Sequence, residues 1–405
     1  MRVPSQGVRF VLFIINLNKE MKKINTFLLA ILFSAPILFT SCGDDEKGDP
    51  EPEPETGYNV PTTYEFKDAD GNSTVDYSGQ TTRIAKFKTL MDELKKGNTS
   101  GVEVDAATLH GMFSDDGTYS WEDAELNAAT SKKLRDKTKN PGVIDALLDS
   151  LANASKSTVV ASKGVAGVLA DKRLLSANGI EYQQVIEKAM YGALFFNQIA
   201  NNYLTEEKIG VLVPNNDQDP TSGKYYSSKE HYWDEAFGYF GAPIDFPQEG
   251  VSNGGAVYVA KYTYEMDGIL GTNISKELMD AFIKGRAAIT NNDETVLAEA
   301  KTVIYEQVEL VFAKAAIHYL NRTRSLIAAG GTTDDANRIH ALSEGWGFMM
   351  CLPISIQAKV SANDLAAWQA TIGSDFWELD SDDLLSVRNE IATKYGISSA
   401  DRDAL

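Results

Sequence analysis

Apolar residues recur at three- and four-residue intervals along most of this chain beyond position 80, and that period constrains the fold more than any other feature. The segments Thr81–Lys96, Ala124–Lys137, Val143–Ala154, Tyr182–Leu204, Lys276–Ala288, Glu294–Leu326, Asp335–Leu352 and Asp382–Tyr395 each gather their apolar side chains on one face of a 3.6-residue helix. Asp335, Ser361 and Asp382 stand where helix N-caps belong, and Gly330-Gly331 closes the longest run. The predicted class is all-α. With 43% apolar residues over 405 positions there is ample material for one large core or two smaller ones.

The first forty residues obey a different grammar. From Met21 the chain has a short basic start, Lys22-Lys23, then an apolar stretch ending in Leu38-Phe39-Thr40-Ser41-Cys42 and an abrupt turn to Gly43-Asp44-Asp45-Glu46. The apolar stretch has signal-peptide length and falls short of the roughly 20 residues that a comfortable spanning helix needs. Residues 1–41 are therefore predicted to be a removed export signal, with Met21 as the true start. The residues before Cys42 resemble a bacterial lipobox, which makes Cys42 the lipid-carrying first residue of the mature protein; Phe39 departs from the usual smaller side chain. Several acyl chains on one residue hold a protein firmly at a membrane, where a single chain would not. Residues 42–62, with Asp49-Pro50-Glu51-Pro52-Glu53-Pro54-Glu55, bury too little apolar surface to order themselves and read as an acidic tether. With Cys42 acylated, Cys351 has no partner, so no disulfide braces the fold. In its apolar setting Cys351 reads as buried and inert.

Charge narrows the partners. The sequence carries 57 acidic against 38 basic residues, a net charge of −19, and loss of residues 1–41 leaves 56 against 33, or about −23. Such a surface repels nucleic-acid phosphates, so no nucleic-acid partner is expected, and it favours cations. Two loops are dense in oxygen ligands. In Asp68–Asp76 the glycine comes two places too early for an EF-hand, and Asn215–Pro220 has the same composition; both read better as turns than as Ca²⁺ sites. No H-E-x-x-H, nucleophile elbow or Walker loop is present.

One short pattern occurs twice. His231-Tyr-Trp-Asp234-Glu235-Ala-Phe-Gly238-Tyr aligns without a gap on His340-Ala-Leu-Ser343-Glu344-Gly-Trp-Gly347-Phe, and each copy follows a long amphipathic run, Glu187–Leu204 and Glu306–Thr323. This predicts a duplicated helical protein, with a first bundle half at 63–250 and a second at 251–405. A histidine and a glutamate four positions later share a helix face, so His231 with Glu235, and His340 with Glu344, could serve one metal ion or one proton transfer. The alternative is a paired histidine packed where the glycine admits a neighbouring helix. Glu306, Glu309 and His318 could join a four-helix metal site, although His318 in Ala-Ala-Ile-His-Tyr-Leu reads as a core histidine.

The lipobox, the tether, Val75-Asp76-Tyr-Ser-Gly-Gln80-Thr-Thr-Arg83 and the His231 motif together resemble a Bacteroidetes lipoprotein family known as domain of unknown function 4856, over almost all the mature chain. That family distantly resembles the imelysins, exported proteins of two related helical bundles linked to iron or haem uptake and first described as peptidases. Against the imelysin G-x-H-x-x-E, this chain has Lys229, His231 and Asp234. The resemblance implies two pseudo-repeated bundles in one imelysin-like unit and a metal site at His231, Asp234 and Glu235, joined by His340 and Glu344. It implies an outer-membrane lipoprotein, facing the periplasm or the cell surface, that binds iron, haem, zinc or another nutrient. A non-enzymatic scaffold or accessory subunit of an outer-membrane transporter is the first alternative, and a metallopeptidase the second.

Overall fold

A computed structural model describes residues 57–330 and 335–405. The expected signal, Cys42 and most of the expected tether lie outside the described residues. Fourteen α-helices and one small hairpin follow one another: α1 (Ser78–Lys96), α2 (Ala106–Ser114), α3 (Ala124–Ala128), α4 (Pro141–Ser155), β1 (Gly167–Leu169), β2 (Arg173–Leu175), α5 (Tyr182–Met190), α6 (Glu206–Ile209), α7 (Ser228–Phe240), α8 (Tyr258–Leu270), α9 (Ile274–Asn291), α10 (Glu294–Ala329), α11 (Asp335–Cys351), α12 (Ala362–Ile372), α13 (Ser381–Tyr395) and α14 (Ser399–Ala404). The all-α class holds; β1 and β2 pair antiparallel, Gly167 opposite Leu175.

Local chemistry sets the boundaries. Ser227 and Glu230 form a capping box that starts α7, and Ser361 with Asp364 does the same for α12. Asp123 caps α3, but the predicted helix to Lys137 stops at Ala128. There the buried Lys86 ammonium takes the Ala129 carbonyl at 2.8 Å together with Asp115 Oδ2 at 2.6 Å, so that carbonyl serves a buried cation instead of a helical turn. The segment predicted as Tyr182–Leu204 begins as α5 and widens into π-helical turns at Tyr191–Phe196 and Ile199–Tyr203. Its carbonyls are drawn sideways: Lys139 N–H donates to Ala193 O, and the Tyr305 hydroxyl donates to Ala200 O. Such competition favours the wider turn, and π turns recur at functional positions.

The 36-residue α10 is the spine, packing along α9, α11 and α13, while α11 also lies along α5. Close approach is built in by glycines. A Cβ on Gly285 of α9 would lie inside the Trp233 ring, whose Nε1 donates to Phe282 O at 2.9 Å. Residues from Glu55 onward form one compact unit. Cys351 is fully buried against Gly192, where burial pushes its thiol well above the usual range, as its apolar setting predicts. Both oxygen-rich loops are turns. Asp68 accepts the Asp70 and Asn72 backbone amides within a tight hairpin, and Asp217 accepts Ser228 N–H beside α7.

Candidate functional site

The first motif lies on α7, between α1, α9 and the π segment 199–203. Asp234 is wholly buried and its oxygens are engaged: Oδ1 accepts Arg286 Nε at 2.9 Å and the Tyr64 hydroxyl at 2.8 Å, and Oδ2 accepts the Asp76 amide at 3.1 Å. Arg286 Nη1 reaches Glu230 at 2.6 Å and Nη2 reaches Thr74 O at 2.8 Å. One buried guanidinium thus fastens the chain at 64–76 to α7 and α9. Burial pushes the Asp234 carboxyl up, to about 6, against the downward pull of Arg286.

Glu235, the next residue, faces the other way. Its Oε1 accepts Gln80 Nε2 at 2.7 Å, and its Oε2 stands 4.0 Å from His231 Nε2. The His231 ring stacks on Tyr226 at 4.7 Å between centroids, and the Tyr226 hydroxyl donates to Asp76. His231, Glu235 and Tyr239 fall four residues apart along α7, and Gln80 and Arg83 come toward them from α1 with Tyr203 from the π segment. Among the described residues, seven buried side-chain polar atoms lack a hydrogen-bond partner. Four belong to this group: Gln80 Oε1, Arg83 Nε, His231 Nδ1 and Tyr239 OH. Native interiors leave few such atoms, so a cluster of four marks a place the rest of the fold does not explain.

Its electrostatics are equally uneven. Arg83 is 5% exposed and forms no ion pair among the described residues; its polar neighbour is the Tyr239 hydroxyl, which burial raises and Arg83 pulls back. Lys137 lies over the Tyr203 ring at 5.9 Å, and its pKa is lowered by burial first and then by Arg83, against the pull of Glu235, with Lys208 and Lys132 lowering it further. Lys132 rests against Gly79 at the start of α1, and Lys208 sits over Tyr232 at 4.7 Å. Arg83, Lys137 and Lys132 therefore gather near Glu235, with Lys208, which pairs with Glu207 at 4.0 Å, at the edge of the group.

The second motif, on α11, has its charges paired, although Arg173 Nε beside it is also buried without a partner. His340 Nδ1 lies 2.8 Å from Glu181 Oε2, and Nε2 lies 3.3 Å from Glu344. Glu344 pairs with Lys188 at 3.3 Å, Lys188 with Glu187 at 3.5 Å, and Arg173 with Glu181 at 3.5 Å. The two copies make matching contacts. Asp234 accepts a backbone amide just before α1, and Ser343 accepts that of Glu181 just before α5. A Cβ on Gly238 would lie 2.8 Å from the Cβ atoms of Tyr77 and Gln80, and one on Gly347 would lie 2.6 Å from that of Lys188. Each glycine admits a neighbouring helix.

The expected site residues are thus brought together in pairs, His231 with Glu235 and His340 with Glu344, while Asp234 is turned toward Arg286. Among the described residues no group of three or more His, Cys, Asp or Glu side chains could hold a metal ion. Glu309 accepts the Lys359 amide and the Tyr395 hydroxyl, and His318 bonds the terminal Leu405 oxygen, so neither joins a ligand set. His110 lies against Asp149 and Asp145 of α4, carboxylates that its own helix lacks. Sequence reasoning missed Arg286, Arg83 and Lys137. Arg83 left a signal: Gln80 and Arg83 occupy the same helix stripe as Phe87 and Leu90, a polar start to an otherwise apolar face.

Residues 61–398 match the family model described as Domain of unknown function (DUF4856), while no curated protein and no solved structure matches the chain. A match over this much of the sequence, including both motif helices, shows that the chain belongs to the DUF4856 family.

Proposed function

We propose that this is a non-enzymatic binding protein of the cell envelope, lipidated at Cys42 in the outer membrane, that holds a small anionic ligand among Arg83, Lys137, Tyr203 and Tyr239. The observation that carries this reading is Arg83, a buried guanidinium that forms no ion pair among the described residues and faces further cations. Buried charges are normally paired because desolvation of an isolated ion costs several kcal/mol, and a bound anion supplies the missing partner. This moves the expected ligand from a cation to an anion. Overall acidity favours cations at the surface, but the local charge decides what enters the cluster.

Calorimetric titration of the purified chain with sulfate, phosphate and short carboxylates tests the reading. Saturable binding that disappears in Arg83→Met is expected, and binding unchanged by that substitution would overturn it. The iron, haem or zinc role implied by the imelysin resemblance makes the opposite forecast, since Zn²⁺ or Fe²⁺ binding should then vanish in His231→Ala and survive in Arg83→Met. One observation favours an accessory-subunit role: Val211 and Leu212, in the loop before α7, are 72% and 94% exposed. Cross-linking from that loop in intact cells would recover a membrane partner if this second reading holds. Loss of lipid labelling in Cys42→Ala is the check on the anchor.

A further inference from the structure

We infer that the ligand held at Gln80 and Arg83 is a small carboxylate with a hydrogen-bond donor on the adjacent carbon, an α-hydroxy or α-amino acid; the inference rests on the anion-binding reading above. The buried atoms left without a partner define what such a ligand must offer. Gln80 Nε2 lies 2.7 Å from Glu235 Oε1, and a carboxylate oxygen only accepts, so the amide orientation is fixed and Oε1 is the free atom. Gln80 Oε1 can only accept. Arg83 Nε can only donate, and it too is buried without a partner. The two residues are three positions apart on α1, a rise of about 4.5 Å on one helix face. A ligand that satisfies both must therefore present an acceptor to Arg83 Nε and a donor to Gln80 Oε1.

A carboxylate beside a hydroxyl or ammonium offers both roles in one small ligand, whereas sulfate or a plain carboxylate offers acceptors only and leaves Gln80 Oε1 buried and unbonded. The neighbours extend the same division. Lys137 adds positive charge on the Arg83 side, and Glu235 Oε2, beyond hydrogen-bond distance from His231, adds an acceptor on the Gln80 side. Tyr239 OH serves either role. The net positive charge of the cluster selects for ligands that keep their carboxylate.

Calorimetric titration of the full mature chain with L-lactate, L-alanine, propionate and sulfate separates the two levels of the claim. Lactate or alanine is expected to bind at least about tenfold more tightly than propionate, because propionate leaves a buried acceptor unpaired. Gln80→Leu, with Gln80→Met as a second variant should the first disturb the α1–α7 contact, is expected to abolish the preference for lactate and alanine over propionate. Arg83→Met is expected to remove all binding. Equal affinity for lactate, alanine, propionate and sulfate would overturn the ligand class and leave the anion reading standing. No binding by any of the four would overturn both, and a preference that survives in folded Gln80→Leu or Gln80→Met would overturn the role of Gln80.

Discussion

Two helices of this protein carry the same His-x-x-(Asp/Ser)-Glu-x-x-Gly pattern, and their lysines report how differently the copies are used. Beside α11, Lys188 is buried, yet Glu187 and Glu344 outweigh that burial and hold its pKa above the ordinary value. Beside α7, Lys137 is less deeply placed, yet its pKa is depressed by burial and by Arg83, Lys208 and Lys132. Every charge at the second copy meets its opposite within about 3.5 Å. The first copy splits in two, Asp234 closing a buried ion pair with Arg286 while Glu235 borders a cation-rich group in which Arg83 forms no ion pair among the described residues. One pattern serves as a fastener in both places and leaves buried polar atoms without partners around the first.

The largest test of that comparison removes the fastener. Arg286→Ala strands Asp234 and Glu230 as buried carboxylates, and loss of one partner from a buried pair costs about 3–5 kcal/mol. Urea denaturation should show that loss, together with early proteolysis of the segment at 64–76, which Arg286 holds through Thr74 O and Asp234 holds through Tyr64 and Asp76. Next come the glycines. Gly347→Ala pushes a methyl against Lys188 Cβ and Val185 O, and Gly238→Ala pushes one against Tyr77 and Gln80. Overpacking of this kind costs about 1–3 kcal/mol. If the repeat is a shared packing device, both variants lose stability by comparable amounts in thermal melts. A loss confined to one copy would break the equivalence.

The fold was more legible in the sequence than the site. Helical period placed seven of its eight segments on helices, because amphipathic faces against a common core leave that signature even where an end shifts by up to three residues. It overran at 129–137, where a buried Lys86 recruits the backbone, since nothing local announces a partner 43 positions away. It also passed over α8, which has Tyr262 and Thr263 on its buried side alongside Val259, Ala260 and Met266 and so blurs the apolar stripe. At the site, the motif search found α7 and α11, where His340 lies 3.3 Å from Glu344 and His231 stands 4.0 Å from Glu235. It could not separate Asp234 from Glu235, adjacent acids whose fates depend on Arg286 from α9 and Gln80 from α1. Spacing along one helix says which side chains share a face, but the charge that meets them belongs to tertiary structure.

The smaller effects carry the sharper test, because here the two copies are expected to respond with opposite signs. Glu344→Gln removes a charge from a satisfied network and should lower stability by about 1–3 kcal/mol. Arg83→Met removes a charge that has no partner, and an apolar side chain of similar length should leave the unliganded protein as stable or more stable, even though ligand binding is lost. The same opposition should appear in pH. Lys188, with its folded pKa raised, contributes stability that is complete below 10.5 and is lost as pH rises through its folded value. Lys137, with its folded pKa lowered, gives up its proton in the folded chain first. Between that lowered value and 10.5 the unfolded chain holds more protons at this position, so its contribution to stability grows with pH. An anion prefers the charged form of Lys137, so affinity should fall across the same interval. Calorimetry at stepped pH on the wild type and on Lys137→Met reads this directly: the variant should bind more weakly at neutral pH and show a flatter decline, and parallel curves would remove Lys137 from the ligand's reach.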